Sequence, residues 1–220
     1  MRWGTAKFRT QLACVVALIL AAGCGSPGPV QIVGTGVGVA LYGTIVIGVA
    51  TIRNPSNDLT AVSIRLRLSA LAPGSGRSVG SVGITVPALG ADQETTVAVP
   101  VAFLEGNRAA RVVASVTGVR AWVRQTRRPP RLEASDIRIQ DPHADGTLTV
   151  SGRLTSTGER AMPPVQVFAV CYGRRGTVLG GGRGWTEGGM PAGGTDPVSI
   201  PSYVGRTPAY CRLFATPPGG

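Results

Sequence analysis

The sequence predicts a mainly-β protein: two tandem antiparallel β-sandwich domains behind an N-terminal export segment. Three observations carry this. Beyond residue 30 the chain is a series of short alternating apolar segments broken by Gly, Pro, Asn and Asp, and strands at such regular spacing indicate a sandwich or barrel. No stretch of that region sustains a helical period. Finally, the chain repeats itself. Shifted by 103 residues, IVIGVATIRNPSNDLTAVSIRLRLSA (45–70) falls on LTVSGRLTSTGERAMPPVQVFAVCYG (148–173) without a gap. Ile45 then meets Leu148, Ile47 meets Val150, Ile64 meets Val167 and Leu68 meets Cys171. Further on, LGADQETTVAVP (89–100) matches MPAGGTDPVSIP (190–201), with Val97 on Val198 and Val99 on Ile200. RAARVVASVTGVRAW and RTPAYCRLFATPP pair as the last strands of each half.

The elements follow in order. Residues 1–23 read as a cleaved signal peptide. Arg2, Lys7 and Arg9 precede an uncharged apolar run from Leu12 to Ala22, and positive flanks favour the cytoplasmic side. The run is shorter than the roughly 20 residues a membrane-spanning helix needs, and small residues close it. Residues 24–29 form a short tether. The first domain covers 30–122, with strands expected near 30–39, 44–53, 61–70, 79–86, 94–102 and 110–122. Its opening stretch, Val30 to Ile52, is uncharged and long enough for a membrane span. Its content argues otherwise: five glycines each weaken a helix by about 1 kcal/mol, and the Val, Ile and Thr around them favour strands. Val37, Val39, Leu41, Ile45, Ile47 and Val49 alternate, which predicts two strands with one buried face and a turn near Gly43.

VRQTRRPPR (123–131) reads as a Pro- and Arg-rich connector, stiffened by Pro129 and Pro130. The second domain covers 132–217, with strands expected near 132–140, 147–156, 164–172, 177–183, 196–202 and 208–215. DPHADG (141–146) turns between the first two. Residues 218–220 form a tail.

The segment Leu20-Ala21-Ala22-Gly23-Cys24 resembles the lipobox of bacterial lipoproteins, although Leu stands one place earlier than that family usually has it. The resemblance implies cleavage before Cys24 and a diacylglycerol thioether on its sulfur. The protein is then expected on the extracytoplasmic face of a cell membrane, anchored by lipid. Cys14 leaves with the signal, so Cys171 and Cys211 remain as one pair in an oxidising compartment and read as a disulfide. Closing such a loop stabilises a fold by roughly 3–4 kcal/mol.

The second half resembles the FxLYD type of Ig-like domain found in exported prokaryotic proteins. Ser151-Gly152-Arg153-Leu154 and Thr157-Gly158 match its first turn, Cys171-Tyr172-Gly173 stands where Leu-Tyr-Asp would be, and RGTVLG (175–180) matches its hairpin. Ala169 and Gly173 depart from the pattern. The first half matches more weakly, with Asn54 at the turn and Ser69 in place of Tyr. This resemblance implies Ig-like sandwiches, and a fold of that kind does not by itself define a function.

Of 220 residues, 22 are basic and 11 acidic. Losing Arg2, Lys7 and Arg9 leaves 19 arginines against those 11 acids, a charge of +8. Anionic lipid headgroups or envelope polymers suit such a surface. Arginine without lysine, beside abundant Gly, Ala and Pro, also reads as the codon bias of a GC-rich genome. Sparse aromatics, the absence of a recognition motif and the export segment argue against nucleic acid.

Candidate chemistry is thin. His143 sits between Asp141 and Asp145, but the twelfth position of a calcium loop begun at Asp141 is Gly152 rather than Glu, so DPHADG reads as a turn. GTGVG (34–38) and GGGRGW (180–185) lack the spacing of phosphate loops and read as hairpin or strand-edge glycines. No nucleophile elbow, paired carboxylates or metal cluster emerges, and no cofactor is implied. Arg120, Arg124, Arg127, Arg128 and Arg131 gather around the connector, where they could meet an anionic partner or simply keep it solvated. Trp185 is the best candidate for an exposed aromatic contact, with an end plug of the second sandwich as the alternative.

The expected role is therefore non-enzymatic: a lipid-anchored binding or scaffolding module that meets an envelope protein through strand edges or end loops. The alternative is a substrate-binding or accessory lipoprotein of an envelope enzyme or transporter, which would need a concave pocket.

Overall fold

The computed structural model describes residues 28–40, 43–103, 109, 111–125, 130–140, 143–144 and 146–218. Cys24, Arg127 and Arg128 lie outside them, as do the signal segment, Asp141, Asp145 and the last two residues.

Strands dominate, in two sets of six. The first set is β1 (Gln31–Ala40), β2 (Ile45–Arg53), β3 (Leu59–Leu71), β4 (Ser78–Leu89), β5 (Glu94–Phe103) and β6 (Arg111–Arg124). The second is β7 (Leu132–Gln140), β8 (Thr147–Ser156), β9 (Gln166–Tyr172), β10 (Val178–Trp185), β11 (Thr195–Val204) and β12 (Tyr210–Thr216). Each lies within a few residues of its expected place. Pro163 and Pro164 delay β9, because neither can donate to a ladder. β6 outruns the expected boundary at 122, since Val123 and Arg124 still pair with Thr60 and Leu59.

All pairing is antiparallel, and the two sets share one wiring. The first set forms the sheets β1-β2-β5 and β4-β3-β6. In the second set the corresponding triplets, β7-β8-β11 and β10-β9-β12, are joined into one six-stranded sheet through β10 and β11. That junction is short: Gly180 faces Val204 and Gly181 faces Tyr203. The glycines permit it. A Cβ at Gly180 or Gly182 would lie 1.9–2.0 Å from the carbonyl oxygen of Tyr203 or Pro201, so only a bare backbone fits.

The ladders correct the gapless repeat. Gly48 pairs with Val99, and Val150 pairs with Ile200. With Val99 matched to Ile200, Gly48 corresponds to Val150 and Ile47 to Thr149, one residue off the shift of 103. The matches of Ile64 to Val167 and Leu68 to Cys171 do point into equivalent cores. The missing residue is therefore taken up between the second and third strands of each set. A one-residue slip moves every side chain to the opposite face, and the pattern of β2 does not reveal it because β2 is apolar on both faces.

That two-sidedness is the second correction. β2 is buried at Ile45, Val46, Ile47, Gly48, Val49 and Ala50 in succession, not on one face only. Val46, Ala50 and Ile52 join the core shared with β3 and β4. Ile45, Ile47 and Val49 turn the other way, forming a separate cluster with Ala40, Ala98 and Val170, flanked by Tyr172, Val178, Tyr203 and Phe214. The sheet β1-β2-β5 is thus a middle layer, covered on its far side by β9, β10 and β12. Phe168 of β9 reaches far enough to be fully buried in the first set's core. The glycine-rich segments meet at this seam: a Cβ at Gly38 would lie 2.5 Å from the backbone nitrogen of Gly180. Gly36, Gly38 and Gly181 come close to the other half, Gly180 and Gly182 crowd β11 of their own half, and Gly34, Gly36 and Gly38 lie on β1, the edge strand of its sheet, rather than in a hairpin.

Asn54 closes one end of the first sandwich. Fully buried, its side-chain nitrogen lies 2.7, 2.9 and 3.0 Å from the carbonyl oxygens of Leu59, Leu89 and Gly90. It therefore ties the end of β2 to the other sheet. Ser156 holds the matching place in the second set, where its hydroxyl accepts only the N–H of Gly158, at 3.0 Å.

Candidate functional site

The antiparallel path sorts the loops into two ends. β1 starts, β6 ends and β7 starts at one end, so the connector and the approach from the N-terminus share it. A groove of about 300 Å³ there is lined by Asp92, Glu94 and Thr95 of the first half and by Arg131, Glu133 and Thr216 of the second. The turns after β1, β7 and β9 and the loop after β11 lie at the opposite end.

Of the candidate connector arginines the structure describes Arg120, Arg124 and Arg131, and Arg127 and Arg128 lie outside the described residues. Arg120 and Arg124 are exposed on β6, four residues apart and so roughly 13 Å along the strand. Arg124 lies 3.8 Å from the Asp58 carboxylate. Arg131 is fixed by its backbone, donating its N–H to the Thr157 hydroxyl at 2.9 Å. Its groove carries more carboxylates than cations, so this end does not present a purely basic face. Trp185 ends β10 and is 55% exposed, which favours a contact residue over a plug.

Cys171 and Cys211 form a disulfide with an S–S distance of 2.03 Å. They stand directly opposite one another on β9 and β12. Immediately outside them Tyr172 and Tyr210 stack with ring centroids 5.1 Å apart, and the Arg212 guanidinium lies 5.8 Å from the Tyr210 ring centre. Burial pushes the Tyr172 hydroxyl above its ordinary pKa, and the charge of Arg212 only partly opposes this.

Beyond these rings the chain opens into a cleft that the sequence reading missed. It measures about 630 Å³ and lies between the turn Gly173–Thr177 and the loop Arg206–Ala209. Arg174, Arg175 and Arg206 line it, and no carboxylate appears among its lining residues. Its walls are braced. Gly173 N–H donates to Thr177 O at 2.9 Å, Gly176 N–H to Gly173 O at 2.9 Å and Ala209 N–H to Tyr172 O at 2.8 Å. Arg206 leans across the opening, with its Nη2 3.7 Å from where a Cβ on Gly173 would stand. The available signal was Arg-Arg in a tight turn just past one cysteine, and another Arg just before the other.

His143 is exposed at the same end. It lines a neighbouring depression of about 360 Å³ with Val39, Gly146, Val204 and Arg206, and its backbone closes the turn by donating to Thr147 O at 2.9 Å. Among the described residues no group of His, Cys, Asp and Glu is arranged to hold a metal ion. No described helix is long and apolar enough to cross a membrane.

Comparison with known proteins adds little. No protein-family model matches the chain, and no curated protein does. Among solved structures it is similar to red sea bream transglutaminase, at 12% identity and a TM-score of 0.31, over 86% of this chain and 28% of that one. The chain thus spans under a third of that protein's length, and a likeness this loose carries no argument about activity.

Proposed function

We propose that the chain is a lipid-anchored, non-enzymatic binding or scaffolding module on the extracytoplasmic face of a bacterial cell membrane. The observation that carries this reading is Cys24 itself, at the end of a basic, then apolar, then small-residue segment. The Cys171–Cys211 disulfide supports an oxidising compartment. Only GSPGPV (25–30) separates Cys24 from the first strand, a reach of at most about 22 Å. The connector end, with Trp185 and Arg131, then rests near the bilayer. The strands carry the opposite end roughly 30 Å further out, where an envelope protein or anionic polymer can be met. Metabolic labelling with a fatty-acid analogue tests the anchor: wild type takes the label and Cys24→Ala does not. Labelling that persists in Cys24→Ala sinks the reading.

A further inference from the structure

We propose that the cleft between the β9–β10 turn and the β11–β12 loop binds a multivalent oxyanion chain, a polymer whose repeated phosphates or carboxylates engage Arg174, Arg175 and Arg206. This does not rest on the lipid anchor, because the cleft is defined by the second sandwich alone.

Three features converge on the site. First comes its charge. Like most of the described arginines, Arg174, Arg175 and Arg206 form no ion pair among the described residues; what sets them apart is that three line one cleft with no carboxylate among its lining residues. A planar guanidinium is shaped for bidentate contact with phosphate or carboxylate. Second is size. The cleft, about 630 Å³ and open to solvent with Arg174, Arg175 and Arg206 all exposed, runs from the β9–β10 turn to the β11–β12 loop. A chain carrying several anionic groups can reach the arginines on both walls, which one small anion does not. Third is preorganisation. The arginines sit on a turn and a loop that do not follow one another in sequence, yet the disulfide joins the strands at their roots. The Tyr172–Tyr210 stack caps that joint, and three backbone hydrogen bonds hold the walls. A framework already ordered loses less freedom when it binds.

Gly173 supplies the decisive variant. A side chain there would make only ordinary contacts, the nearest being 3.7 Å to Arg206 Nη2 and to Leu179. Gly173 is buried, so Gly173→Asp sets a carboxylate near Arg206 while Gly173→Asn, of nearly the same shape without the charge, carries the same cost of filling the position.

The test is calorimetric titration of the oxidised full chain in detergent with inorganic tripolyphosphate and, in a second arm, poly-glutamate. At least one probe binds saturably. Gly173→Asp weakens that binding by about tenfold or more, as expected for lost charge-assisted hydrogen bonds, while Gly173→Asn stays within about twofold of wild type. Arg206→Ala and Arg175→Ala each weaken it, and Arg124→Ala does not. Tripolyphosphate binding alone assigns the ligand to phosphate chains, and poly-glutamate binding alone assigns it to carboxylate chains. Thermal midpoints show that all variants are folded. Failure of both probes to bind, or equal binding by Gly173→Asp and Gly173→Asn, overturns the proposal.

Discussion

The first six strands and the last six follow the same wiring, yet their second strands live in different surroundings. β8 alternates: Leu148, Val150, Gly152 and Leu154 are buried, and Thr147, Thr149, Ser151 and Arg153 are not. β2 is buried almost throughout, because the second half covers its outer face. Two strands at one position in one wiring thus have different sequences for a physical reason. A sheet face that meets water must carry polar side chains, and one that meets another sheet must not. The unbroken apolar run of β2, Ile45 to Ala50, is the mark of a strand packed on both sides, whereas β1 beside it still alternates with exposed residues.

Matched substitutions at the corresponding positions Ile47 and Thr149 would break or sharpen this comparison most. Ile47 is fully buried at the seam, whereas Thr149 points outward on β8. Ile47→Asp leaves an unpaired carboxylate between two sheets and removes apolar burial, costing about 4 kcal/mol or more. Thr149→Asp costs less than about 1 kcal/mol, in the range of surface changes. Denaturant unfolding of both variants measures the gap. Equal losses would mean that the seam is not a packed core.

The same comparison shows what the sequence could and could not reveal. Strand positions were legible because Gly, Pro, Asn and Asp punctuate them, and the disulfide because Cys171 and Cys211 are the only cysteines beyond residue 30. The seam was not. Alternation reports one covered face well, but IVIGVATI (45–52) is apolar or small at every step except Thr51, so it carries no parity. That is also why the repeat aligned one residue out of register across β2 and β8, while β3, with Arg65 and Arg67 facing out, aligned correctly. The arginine cleft stayed hidden for another reason. Arg174 and Arg206 become neighbours through the pairing of β9 with β12 and of β10 with β11, non-local contacts that no local pattern announces.

The second difference between the halves is covalent. Only the second set carries a disulfide, across strands whose counterparts, β3 and β6, pair through longer ladders. β9 and β12 offer seven residues each, and β3 and β6 offer 13 and 14. The disulfide adds a covalent tie where the ladder is short. Replacing both cysteines by Ser is expected to cost about 3–4 kcal/mol, read as a lower denaturant midpoint that reducing agent reproduces in wild type and leaves unchanged in the variant. An unaltered midpoint would show that the short ladder suffices alone.

The smallest effect separates the two ends of the second strands, Asn54 and Ser156. Both are buried, but they hold their sandwiches together differently. Asn54 joins two sheets that share no ladder, so its amide is a polar bridge between layers. In the second half β10 and β11 already make that connection, and Ser156 only fastens its own turn. Asn54→Ala strands the carbonyls of Leu59, Leu89 and Gly90, and each buried group left without a partner costs about 1–3 kcal/mol. Some of these oxygens retain other donors, so a net loss of about 2–3 kcal/mol is expected. Ser156→Ala frees a single N–H and should cost about 1 kcal/mol. Paired thermal and denaturant unfolding of the two variants reads the difference directly. If Ser156→Ala proved the costlier change, the β10–β11 junction would not be what closes the second sandwich.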